Sequence, residues 1–166
     1  MSNANGVNTP TTGDPVGADL GGPALSEKWE YRSISGMLMY LAANTHPDIA
    51  YSVHQAARFS HNLKNNRALA IKHILRFLKK THDKGMYMHP DGSFKLSCYV
   101  DSDFVGLFES EDPGNPVSVK SRIGYIIKFG NVPILWVSKL QTQIALSTME
   151  AEYIALYQSM RALIPL

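Results

Sequence analysis

The sequence predicts an α+β fold in which helices come first and a small sheet with one packed helix follows. Two changes of pattern carry that reading. Between residues 27 and 83 apolar side chains recur at spacings of three and four, the period of a helix face, whereas from residue 94 they alternate as on a strand. Near residue 147 the spacing becomes helical again. The 166 residues, 45% hydrophobic and 18% charged, suit one ordinary domain or two small ones. Three parts are expected: a flexible arm over 1–26, a helical segment over 27–90 and a sheet-containing domain over 91–166.

The arm, "MSNANGVNTPTTGDPVGADLGGPALS", is rich in Gly, Pro, Asn and Thr and has too few large apolar residues to offset the entropy of ordering. Three helices follow. In the first, over 28–44, Ile34, Leu38 and Leu41 form a stripe with Met37 beside them. Pro47 and Asp48 open the second, over 47–61, where a missing N–H is harmless and an acid suits the helix dipole. Its buried face is Ile49, Val53, Ala56 and Ala57. The third, over 65–82, repeats Ala68, Ile71, Leu75 and Leu78, widened by Ile74 and Phe77. Eight Lys or Arg lie between Arg58 and Lys84 against one acid, Asp83, with His61, His73 and His82 interleaved. Such a run is either a solvated helix face or a phosphate-tracking surface, and composition leaves both open.

Pro90, Asp91 and Gly92 signal a turn. Beyond it Phe94, Leu96, Cys98 and Val100 alternate with Lys95, Ser97, Tyr99 and Asp101, a half-buried strand with the apolar set inward. An irregular loop, acidic early and turn-rich late, leads to strands over 122–129 and 132–138, joined at Gly130-Asn131, a pair that tolerates positive φ. The last element starts at "STMEAEYIAL". Ser147 and Glu150 make a capping box, the hydroxyl accepting from the Glu150 N–H and the glutamate reaching back to the cap N–H. Met149, Leu156, Met160 and Leu163, with Tyr153 between, form the stripe expected to pack on the sheet, which leaves Glu152 in the first turn without a structural task.

Several function classes find no support. A net charge of +2 names no partner. Cys98, the one cysteine, has no partner for a disulfide, so an intracellular setting, cytoplasmic or nuclear, is expected. No stretch has the apolar length of a membrane span and the first residues do not read as a secretory signal. The six histidines and Cys98 lack a zinc-ligand spacing, Ser147 has no nearby base, and no Gly-rich phosphate loop joins a strand to a helix. Trp136 reads as core. By contrast, a carboxylate near the end of a first strand and another at the start of a later helix is a geometry in which remote acids share a hard divalent cation.

The residues are more specific than that spacing. The blocks "YRSISGMLMYLAANTHPDIAYSVHQAARF", "AIKHILRFLKKTHDKGM", "YVDSDFVG" with "KSRIGYIIKFGNVPILWVSKLQ", and "ALSTMEAEYIAL" resemble the successive blocks of copia-type LTR-retrotransposon Pol polyproteins, in order and spacing, over Tyr31 to Leu166. The resemblance implies a connection segment of a reverse transcriptase followed by the N-terminal part of a ribonuclease H domain, a mixed sheet with a packed helix. It implies hydrolysis of the RNA strand of an RNA·DNA hybrid by two magnesium ions. The acids that match are Asp101, at the end of the first strand, and Glu152, in the frame "AEYIAL", as catalytic and metal-binding residues; Asp103 is a neighbour.

The family's third and fourth acids find no match before Leu166, and the paired aspartates of the polymerase are missing. The reading is therefore a polyprotein fragment, a ribonuclease H-like endonuclease in its parent and inactive alone, whose partners are an RNA·DNA hybrid and the remainder of the polyprotein, with no membrane. A different class is a non-catalytic nucleic-acid-binding module using Lys72, Arg76, Lys79 and Lys80 of the basic helix over 65–82. A decayed remnant without selected activity is the third.

Overall fold

The computed structural model describes residues 4–12, 21–23, 30–58, 64–108 and 114–166. Contacts divide the chain into two units, Met1–Met86 and Tyr87–Leu166. The expected helix starts at 28 and 29, the end of the second helix at 59–61 with His61, most of the arm and the middle of the acidic loop lie outside the described residues.

The first unit is helical. Helix α1 spans Tyr31–Asn44 and α3 spans Asn65–Lys80; the expected second helix is a 3-10 turn, Pro47–Ile49, continued by α2, Ala50–Ala57. Pro47 opens that turn, where no N–H is needed. Tyr31, Leu38, Ala42, Ile49, Val53, Ala56, Ile71, Ile74 and Phe77 form its core. Leu75 and Leu78 pack at the edge of this cluster, so the buried line of α3 runs through Ala68, Ile71, Ile74 and Phe77, one step round from the expected stripe. Met37 is 59% exposed, a correction to the expected α1 face, because Tyr31, Ser35, Leu38 and Ala42 take the inward positions. Arg67, counted by sequence among a run of surface cations, is 1% exposed.

The second unit is a three-stranded sheet with one helix. Strands β1 (Leu96–Asp103), β2 (Arg122–Phe129) and β3 (Val132–Leu140) are ordered β1-β2-β3, and α4 spans Thr148–Leu163. Every pairing is antiparallel, so the described sheet is not the mixed sheet expected. The hairpin explains half of this: Gly130 at φ 51 and Asn131 at φ 68 turn the chain tightly between β2 and β3. A side chain at Gly130 would lie 2.8 Å from the Ser93 carbonyl, and the Gly130 N–H donates to Lys95. Pro133 is tolerated because β3 is an edge strand and the register shifts at Ile127 and Lys128.

Two expectations of burial fail here. Phe94 precedes β1 and is 92% exposed, meeting the Phe129 ring edge-on, and Leu96 is also exposed. The inward set of β1 starts only at Cys98, which is half-buried and free of disulfides. In α4 the buried residues are Ala151, Ala155 and Ser159, whereas Met149, Tyr153, Leu156 and Met160 are exposed. Small side chains let the helix backbone approach the sheet closely, and the large apolar residues are left on the outer side.

Candidate functional site

The capping box at α4 forms. Ser147 Oγ accepts from the Glu150 N–H at 3.1 Å, and the Glu150 carboxylate accepts from the Leu146 N–H at 2.7 Å, one residue before the cap N–H expected. Glu150 is the acid of the first turn; Glu152 falls one residue beyond it, a correction to the sequence placement.

Residues directly opposite in a ladder share a face, so Asp101, Gly124 and Ser138 line up on one side of the sheet. Ser102 is on the other. Gln141, 1% exposed just past β3, donates through Nε2 to the Ala151 carbonyl at 2.8 Å and to Ser102 Oγ at 3.3 Å. One amide thus ties β1 to the start of α4 through the chain neighbours of Asp101 and Glu152, and it identifies the side of β1 that α4 covers. Asp101, with Tyr99 and Asp103, belongs to the alternate, exposed set.

Glu152 is set about 100° around the helix from Ala151, which faces the sheet. The opposite flank of α4, with Ile154, Tyr157 and Arg161, lines a cleft together with Tyr125 of β2 and Lys139 of β3. Glu152 is therefore on the flank toward β1, whose outer edge pairs with no described strand. Both acids border that edge, from different faces, and neither carboxylate makes a hydrogen bond or ion pair with a described residue.

Among the described residues no group of three or more His, Cys, Asp and Glu side chains is placed to hold a metal ion. Two carboxylates on different faces do not by themselves make a two-ion magnesium centre, because each hard cation draws its oxygen ligands to one point. Asp103 has a different surrounding. Its carboxylate folds over Gly106, where an added Cβ would collide with the Asp103 oxygens, in a turn that also holds Val105 at φ 53.

In the first unit Lys72, Arg76, Lys79 and Lys80 follow one face of α3 at steps of four, three and one. Sequence reasoning missed what lies on them. Arg76 Nε donates to the Asn5 carbonyl at 2.6 Å and Lys79 Nζ to the Ala4 carbonyl at 3.1 Å, Lys80 Nζ donates to Asn8 Oδ1, and His73 Nε2 is 3.0 Å from the Thr9 carbonyl. This part of the expected flexible arm is seated on the helix, with Val7 against the core. Gln141 was also missed; a polar residue after a strand carries no periodic signal. The segment on α3 had none either, since main-chain carbonyls are invisible to composition.

Comparison with known proteins gives the class of the chain. It is 37% identical over 153 residues to the retrovirus-related Pol polyprotein from transposon RE1 of Arabidopsis thaliana, covering 92% of this chain and 10% of that polyprotein. It is 36% identical over 161 residues to the Pol polyprotein from transposon TNT 1-94 of Nicotiana tabacum, covering 93% and 11%. The chain belongs to the family of copia-type retrovirus-related Pol polyproteins and spans about a tenth of the length of these relatives. It is also 34% identical over 129 residues to a protein of similar size, secreted RxLR effector protein 161 of Plasmopara viticola, covering 78% of this chain and 85% of that one. No family model and no solved structure matches. Among the described residues no helix is long and apolar enough to cross a membrane.

Proposed function

We propose that this chain is the connection segment and the first part of the ribonuclease H domain of a Pol polyprotein. In that setting it contributes to magnesium-dependent hydrolysis of the RNA strand of an RNA·DNA hybrid. The observation that carries the reading is the pair of exposed carboxylates, Asp101 and Glu152, left uncommitted to described side chains at the open edge of β1, with Gln141 tying together the residues beside them. On this reading Asp101 and Glu152, which border the edge from different faces, would each contribute to magnesium binding only at sites completed by acids from another part of the polyprotein. The ions would supply an activated water and neutralise the leaving oxygen. What this chain itself does is fix β1 against α4 and present two uncommitted acids, while Glu150 serves the helix cap. The chain alone, with half the acids, is inactive on this reading.

The test is cleavage of a labelled RNA·DNA hybrid in magnesium, by the chain alone and by a Pol polyprotein containing it. The chain alone should not exceed background. In the polyprotein, Asp101→Asn and Glu152→Gln should each lower the rate by roughly a thousandfold or more, because members of a cooperative site fail together. Cleavage indifferent to both substitutions would overturn the assignment. Loss of activity with Glu150→Gln and not with Glu152→Gln would move the second ligand to Glu150.

A second reading, nucleic-acid binding by Lys72, Arg76, Lys79 and Lys80, has its own observation: two of these side chains already donate to a row of backbone carbonyls along one helix face.

A further inference from the structure

We propose that residues 4–9 are a displaceable cover over the basic row of α3, their carbonyl oxygens standing where the phosphate oxygens of a nucleic-acid backbone would sit. The proposal rests on the reading that this row binds nucleic acid.

Three side chains of the row, Arg76, Lys79 and Lys80, and the neighbouring His73 meet the segment, at Asn5, Ala4, Asn8 and Thr9. The acceptors are three backbone carbonyls and one side-chain amide, all neutral. Residues 4–9, "ANGVNT", contain no acid. Arg76 and Lys80 are thus hydrogen-bonded to neutral acceptors without being neutralised, which is the arrangement a phosphodiester exchanges favourably. Bonds from Arg or Lys to an anionic oxygen are roughly twice as strong as neutral ones, and phosphate binding also releases counterions. The hold on the segment is slight by comparison. All four contacts are exposed to solvent, and the apolar anchor is one partly buried side chain, Val7. Gly6 gives the seat its closeness: a Cβ there would stand 2.7 Å from Cβ of Lys80, so a larger residue cannot be seated without the segment and the helix moving apart at that point or Lys80 giving way.

A cover that leaves on binding has a thermodynamic signature. The bound state is the same whether or not the cover was closed beforehand, so opening it raises affinity and leaves the salt dependence alone. The experiment measures the affinity of the full chain for a fluorescein-labelled RNA·DNA hybrid by anisotropy across a salt series. Gly6→Val should bind roughly 3- to 10-fold tighter than the natural sequence at every salt, the factor by which closure lowers the competent fraction. The two log–log lines should run parallel. Val7→Ser, which releases the other hold, should behave alike. Lys79→Ala with Lys80→Ala should flatten the salt slope by about 2 in either background, one per lost phosphate contact.

If both opening variants coincide with the natural sequence while the double lysine variant still flattens the slope, the row binds nucleic acid and the cover is refuted. If the slope does not respond to the lysines, the binding reading itself fails, and the cover with it.

Discussion

Tyr31 shows how one side chain couples the helical unit to pH. It is 1% exposed, its hydroxyl donates to the Ala56 carbonyl at 2.7 Å, and burial pushes its phenol up to about 12 although the Arg67 guanidinium nearby pulls the other way. An acid with a raised folded pKa favours its protonated form in the native state. Its contribution is fully present below the unfolded value near 10 and is lost as pH rises through 12. Urea unfolding between pH 9 and 12.5 should therefore lose stability in that window, by at most about 3 kcal/mol at 1.36 kcal/mol per unit. Tyr31→Phe should flatten this pH dependence and cost about 1 to 3 kcal/mol at neutral pH, since it strands a buried carbonyl. The residue was readable only as the first member of a family-like block. Its partner lies 25 positions away, and a contact of that range leaves no mark on local spacing. Gln141 was hidden for the same reason, whereas the cap of Ser147 and Glu150 was legible because both partners lie within one turn.

At the scale of elements, period and turn chemistry were enough for existence and type. The three helical segments, the Gly130-Asn131 hairpin and the phase of β1 beyond Cys98 all follow from local rules. The face of α4 did not, and the reason is physical. A pattern search weights Met, Leu and Tyr, but a helix lying close on a sheet needs Ala and Ser at the contact. The buried line is Ala151, Ala155 and Ser159, with Leu156 49% exposed one position on. Adjacent positions on α4 should then respond in opposite ways. Ala155→Leu, which adds volume where none is free, should cost about 1 to 3 kcal/mol in urea unfolding. Leu156→Glu should change stability by no more than about 0.5 kcal/mol, as at an ordinary surface site. The reverse order would mean that the large apolar stripe is the packed one after all.

At the scale of the whole chain, the second unit keeps more apolar surface in water than its own packing explains. Met149, Tyr153, Leu156, Tyr157 and Met160 are each more than a third exposed along α4, and β1 leaves one edge unpaired among the described residues. Contiguous apolar surface of this kind marks a contact face in a larger assembly or a liability in isolation. The family relation gives this a setting, because the Pol polyproteins it matches are about tenfold longer than this chain. Taken alone, the chain should associate with itself in a concentration-dependent way and raise the fluorescence of an apolar dye. Both effects should weaken in Leu156→Glu, and more so when Met160→Lys is added, while unfolding stability is held. Sedimentation velocity over a tenfold concentration range reads the first effect. A sedimentation coefficient independent of concentration, together with dye fluorescence that the two substitutions leave unchanged, would mean that the outer side of α4 is inert, and that its large side chains are not a contact face.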